Sequence, residues 1–134
     1  MHPKFYRADM LSKEVIGAAI EVHRVMGPGL LESVYQKCFV RELELRNIAA
    51  VSQKIVCIDY KGISFQETLK CDVIIEDCLI VELKAVQTIL PIHQAQLLTY
   101  MRLLDVPIGL LINFHELRLI DGLSRLILPY ANKN

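Results

Sequence analysis

Lys70-Cys71-Asp72-Val73-Ile74-Ile75-Glu76-Asp77-Cys78-Leu79-Ile80-Val81-Glu82-Leu83-Lys84-Ala85-Val86 holds two apolar, β-branched runs separated by a short acidic break. Such runs favour strands, and the break between them suits a turn. Side chains alternate faces along a strand, so Glu82 and Lys84 share one. Asp72 joins them across a hairpin only if the numbers of paired residues sum to an even value. A loop of Glu76, Asp77 and Cys78 meets that condition, with Ile75 opposite Leu79 and Asp72 opposite Glu82. The same register gathers Val73, Ile75, Leu79, Val81, Leu83 and Ala85 on the other face. The hydrophobic pattern therefore selects the pairing that joins the two acids.

A charge inside an apolar strand is costly unless it is paired or bound to a metal. Two converging carboxylates suit a hard divalent cation, which takes oxygen ligands. A lysine two residues beyond the second acid can orient a water or offset charge on a phosphate. These are the parts of a metal-dependent phosphodiesterase. An ordinary amphipathic hairpin would leave the charges on a solvated face. Here the charged face also carries Ile74, Ile80 and Val86, which points to partial cover.

Outward from this hairpin, helical spacing of Leu11, Val15, Ala18, Ala19, Val22 and Met26 predicts a helix over Met10–Met26, with Ser12 as its N-cap. Gly27-Pro28-Gly29 stops it. A second helix is expected from about Leu31 to Arg46, using Val34, Cys38, Leu43 and Leu45, with Asn47 as its stop. Val51–Tyr60 reads as a strand, Lys61-Gly62 as a turn, and Ile63–Ile75 and Leu79–Val86 as strands. Pro91 marks a boundary before a third helix over Ile92–Leu104. Ile108–Phe114 is apolar on both faces, as a strand covered on both sides would be. Asp121-Gly122 resembles a hairpin turn, and Leu123–Leu128 fits a strand or a short helix. The order implies an α/β fold with a central mixed sheet flanked by helices.

The length of 134 residues suggests one domain over residues 1–134, and 53% apolar residues give ample core. No apolar run is long enough to span a bilayer, and the N-terminus lacks a signal-peptide pattern. Cys38, Cys57, Cys71 and Cys78 show neither zinc nor disulfide spacing, so reduced thiols in a cytoplasmic protein are expected. The net charge of zero counts against bulk coating of nucleic acid but leaves room for a local basic cleft.

In the third helix His93, Gln96 and Tyr100 share a face, leaving Ala95, Leu98 and Met101 for the core. Gln96 and Tyr100 could hold a phosphate or brace a lysine; alone, the spacing reads equally as a solvated face. His93 reads as a helix-start or surface residue and not as a ligand. Glu32, in the first turn of the second helix, is explained by the helix dipole alone, and Tyr35 by the core.

Gly29-Leu30-Leu31-Glu32-Ser33-Val34-Tyr35, however, resembles the GxxExxY motif of a family of small prokaryotic proteins. The resemblance extends over nearly the whole chain, through Ile16–His23, Ile80–Val86 and Leu90–Tyr100. That family looks like a branch of the PD-(D/E)XK nuclease superfamily, which implies a restriction-endonuclease-like fold. By resemblance, Asp72 is the motif Asp, Glu82 and Lys84 form the (D/E)XK pair, and Glu32 is the acid from an N-terminal helix. Gln96 and Tyr100 are similar to the QxxxY motif of RecB-type nucleases. Cys71 stands where the motif name has Pro. The implied activity is a Mg²⁺- or Mn²⁺-dependent nuclease acting on nucleic acid, with DNA the first expectation. Asp72, Glu82 and the Leu83 carbonyl would hold the ion, and Glu32 would reach it through water or assist a second ion. Lys84 would position the attacking water, with Gln96 and Tyr100 orienting Lys84 or the phosphate. The contrasting reading is a non-catalytic nucleic-acid-binding or partner-binding module that kept the fold. A chain this small has little surface for sequence readout, so low specificity or a homodimer is expected.

Overall fold

The computed structural model describes all 134 residues. Its elements are α1 (Phe5–Met26), α2 (Glu32–Leu45), β1 (Ala50–Tyr60), β2 (Ile63–Ile75), β3 (Leu79–Lys84), α3 (Pro91–Leu104), β4 (Ile108–Asn113) and β5 (Leu123–Ile127). The five strands form one sheet in the order β1-β2-β3-β4-β5. Only β3 and β4 run parallel, joined by the crossover through α3. This is the mixed, helix-flanked sheet of a restriction-endonuclease-like fold.

The sheet is covered on both faces. Val73, Ile75, Leu79, Val81 and Leu83 pack with Ile108, Leu110 and Ile112 under α1 and α2. Ile74, Ile80 and Leu111 pack against Leu97 and Met101 of α3. That second layer is tight at Gly109, where a Cβ would lie 2.6 Å from Met101 Sδ. The two layers account for β4, whose six residues are all buried.

The β2–β3 turn has the expected length, with Ile75 opposite Leu79. Glu76 and Asp77 take left-handed backbone angles, φ 50° and 54°. Neither is glycine, so the conformation is held from outside. Arg7 donates two hydrogen bonds to the Glu76 carboxylate, at 3.1 and 2.8 Å. Lys4 donates to the Asp77 carbonyl at 3.0 Å, and Lys54 pairs with the Asp77 carboxylate at 2.6 Å.

Several local expectations are corrected. α1 begins at Phe5, and Ser12 is no cap. It lies buried inside the helix, its hydroxyl donating to the Asp9 carbonyl at 2.7 Å. The core face of α2 is Tyr35, Phe39 and Leu43, while Leu45 is exposed. α3 buries Leu97 and Met101, leaving Ala95 exposed. β3 ends at Lys84, two residues early, because the chain turns away toward α3. Asp121-Gly122 closes a short 3₁₀ turn, Leu119–Gly122, and Leu123–Ile127 is a strand antiparallel to β4.

Candidate active site

Asp72 and Glu82 lie where β2 and β3 part. Backbone pairing stops at Val73–Val81. On the other side of β2, the register shifts between the pairs Val51–Ile74 and Gln53–Lys70, so three residues of β2 face one of β1. Cys71, Asp72 and Val73 form this bulge, a device that re-aims side chains and ends pairing. The two carboxylates take over the freed donors. Asp72 N–H donates to Glu82 Oε1 at 3.2 Å, and Leu83 N–H donates to Asp72 Oδ2 at 2.7 Å. Each acid thus binds the backbone of the other's strand. Gln36 of α2 fixes the bulge from the opposite layer, donating to the Asp72 carbonyl at 3.1 Å.

The second oxygen of each carboxylate takes no protein hydrogen bond. No buried side-chain polar atom in the chain lacks a partner, so these two oxygens open to solvent. Burial pushes the Glu82 carboxyl up to about 8; the neighbouring Asp72 charge adds to this, and the Lys84 ammonium opposes it. The Cys71 thiol is pushed up to about 12, first by burial, then by Glu82 and Asp72. It is therefore an inert neutral group, as a buried thiol beside two acids must be. A site that resists a second negative charge favours a cation.

Nowhere do three or more His, Cys, Asp and Glu side chains gather to hold a metal. Mg²⁺ is commonly bound by one or two carboxylates, with water and substrate phosphate completing the octahedron. The Asp72–Glu82 pair fits that donor set.

Lys84 is the last residue of β3, half-buried, with its carbonyl accepting from Phe114 N–H at 2.8 Å. Asn113, opposite Lys84 on β4, was not singled out from the sequence. It is buried, and its amide clasps the chain just past Lys84: Oδ1 accepts from Val86 N–H at 3.1 Å and Nδ2 donates to the Val86 carbonyl at 2.8 Å. A lone amide in the apolar run Ile108–Phe114 was the available signal.

Tyr35 is fully buried and stacks on Phe114, centroids 4.4 Å apart. Its hydroxyl donates to the Gly27 carbonyl at 2.6 Å and accepts from Leu30 N–H at 3.1 Å. Gly27 and Gly29, at φ 74° and 96°, allow the turn that Tyr35 ties. The tyrosine thus sets the entry of α2, where Glu32 sits half-buried in the first turn. Glu32 is not drawn into a three-acid group with Asp72 and Glu82.

On α3, Gln96 Nε2 donates to the Tyr100 hydroxyl at 3.2 Å, so the two act as one unit on an accessible helix face. His93 Nδ1 accepts from Leu90 N–H at 3.0 Å, a helix-start role.

A family model for the PD-(D/E)XK nuclease superfamily matches residues 9–126. Searches of curated proteins and of solved structures found no match. The matched span takes in both strands that carry the acids, their lysine and the helix that covers them, and the chain belongs to the PD-(D/E)XK nuclease superfamily.

Proposed function

We propose that this chain is a Mg²⁺- or Mn²⁺-dependent nuclease of the GxxExxY branch, hydrolysing phosphodiester bonds of DNA in the cytoplasm. The reciprocal Asp72–Glu82 pair, set where two strands part, carries this reading. Asp72, Glu82 and the Leu83 carbonyl would hold the ion, with Glu32 reaching it through water. A bound divalent ion would polarise the phosphoryl oxygen and ease deprotonation of the attacking water. Lys84 orients that water and offsets charge on the pentavalent phosphorus. Gln96 and Tyr100, already bonded to each other, orient Lys84 or the scissile phosphate.

The test is a panel of labelled single- and double-stranded DNA and RNA with Mg²⁺, Mn²⁺ or EDTA. Metal-dependent cleavage of DNA that Lys84→Ala abolishes supports the proposal. The neutral net charge fits one other reading, a non-catalytic nucleic-acid-binding or partner-binding module that kept the fold and does not coat nucleic acid by bulk charge. Binding that persists in EDTA, with no cleavage under any condition, would establish it instead.

A further inference from the structure

β4 carries no polar side chain from Ile108 to Ile112, and the residue that breaks the pattern, Asn113, is buried. An amide in such a place is costly unless its polar atoms are paired. Here both ends are paired. Nδ2 donates to the Val86 carbonyl at 2.8 Å, while Oδ1 accepts from Val86 N–H at 3.1 Å and from His115 N–H at 3.2 Å. These bonds stand where backbone pairing stops. The last rung joining β3 to β4 runs from Phe114 N–H to the Lys84 carbonyl, at 2.8 Å. In a parallel ladder the next would run from Val86 N–H to the Phe114 carbonyl. Val86 N–H goes to the Asn113 side chain instead, so the amide substitutes for a residue of strand.

Lys84 ends β3, and strand ends fray unless tied. Its half-buried side chain makes no hydrogen bond or ion pair that could hold it. Asn113 pairs with Lys84 across the strands, so both lie on the side of the sheet that carries Glu82. The Lys84 ammonium favours the charged form of Glu82, which puts it near the acid pair. Behind Asn113 packs the 3₁₀ turn: a Cβ at Gly122 would lie 2.3 Å from the Asn113 carbonyl oxygen. The φ of Gly122 is not positive, so the position calls for small size and not for backbone freedom.

We infer, taking the nuclease reading of Lys84 as given, that Asn113 is a positioning residue of this site: its amide extends the β3–β4 ladder past Lys84 and so fixes the backbone from which the lysine reaches the acids. The four-carbon stem of a lysine is flexible, so any drift of its backbone is passed on to the ammonium. The amide bonds to neither Asp72 nor Glu82, and metal binding is therefore independent of it. An amide that only satisfied the Val86 backbone would contribute stability and nothing else.

The test compares the full-length parent with Asn113→Leu, Gly122→Ala and Val15→Ala, the last a core substitution in α1 away from the site. Leucine keeps the branched shape and loses both polar ends. Gly122→Ala keeps the amide but displaces Asn113, which keeps the test valid should Asn113→Leu fail to fold. On labelled DNA with saturating Mn²⁺, Asn113→Leu is expected to lower kcat about ten- to a hundredfold while KM and Mn²⁺ affinity stay within about twofold. Gly122→Ala should act in the same direction. Val15→Ala should lower the melting temperature and leave kcat unchanged. NMR relaxation of the Lys84 Cε signal, identified by its loss in Lys84→Arg, reads the hold on the lysine without activity. Order there should fall in Asn113→Leu and Gly122→Ala but not in Val15→Ala. Unchanged Lys84 order, or a kcat that follows the melting temperature equally in all variants, would overturn the proposal. A parent that cleaves no substrate, while Asn113→Leu frees Lys84, would sink the nuclease reading and still establish the hold of Asn113 on Lys84.

Discussion

Replacing Glu82 by Gln should stabilise the metal-free protein and remove most of its response to a divalent ion. The amide has the same shape and keeps an oxygen for Asp72 N–H, so the 3.2 Å hydrogen bond survives. What is lost is a charge beside Asp72. With its carboxyl raised from an ordinary 4.5 to about 8, folded Glu82 binds a proton that the unfolded chain releases. Below pH 4.5 both states are protonated and no penalty exists. Stability falls as pH rises through the window from 4.5 to about 8, and the penalty is complete above it. At about 1.4 kcal/mol per pH unit the ceiling is about 5 kcal/mol. Solvent reaches this carboxylate, so a gain of about 1–3 kcal/mol is expected at pH 8. For a chain of this size that raises the melting temperature by about 3–10 °C. A bound cation acts in the same sense on the parent, adding about 3 kcal/mol at a hundredfold excess over its dissociation constant. Scanning fluorimetry of parent and variant, with EDTA or Mn²⁺ at pH 4.5 and 8, gives all the required comparisons. A variant gain that is equal at both pH values would refute the electrostatic account. Identical Mn²⁺ responses would refute the placement of the ion.

Lys84→Ala should abolish cleavage while leaving the melting temperature within a few degrees, because the half-buried side chain makes no ion pair; undiminished activity on the best substrate would remove Lys84 from the mechanism. Tyr35→Phe keeps the stack on Phe114 but strips both hydrogen bonds from the Gly27–Leu30 turn, and urea unfolding should show a loss of about 1–2 kcal/mol. Gly109→Ala drives a methyl against Met101 and Leu97; a loss of about 1–3 kcal/mol is expected, measured the same way, with α3 displaced from the sheet in a crystal structure of the variant.

The β2–β3 register was legible because the apolar pattern selects it: a slip by one residue would put Val73 and Ile75 on the opposite face from Leu79 and Val81 and split the larger core layer. The parting of the strands at Asp72 was not, since a bulge depends on how β1 twists against β2 and leaves no mark on hydrophobic alternation. The start of α1 was missed because Lys4 gives no side-chain cap, and Ser12, a common cap, bonds inside the helix instead. On α3, the polar spacing of Gln96 and Tyr100 drew the core face one residue away from Leu97, which tertiary packing decides. Tyr35 reads from the sequence as a core aromatic, and it is one; its hold on the Gly27–Leu30 turn becomes visible only once the hydroxyl has neighbours.

The turn at Glu76, Asp77 and Cys78 gives the chain an unusual intolerance of length. Surface turns ordinarily accept an inserted or deleted residue, because nothing downstream depends on their count. Here an odd count is what keeps Asp72 and Glu82 on one side of the sheet. A single deletion, leaving the helices and most of the core sequence untouched, would send one acid to the side of α1 and α2. Arg7, Lys4 and Lys54, from two distant parts of the chain, all grip this turn. This loop is a counting device: its length of three residues, and not their identity, decides whether Asp72 and Glu82 meet.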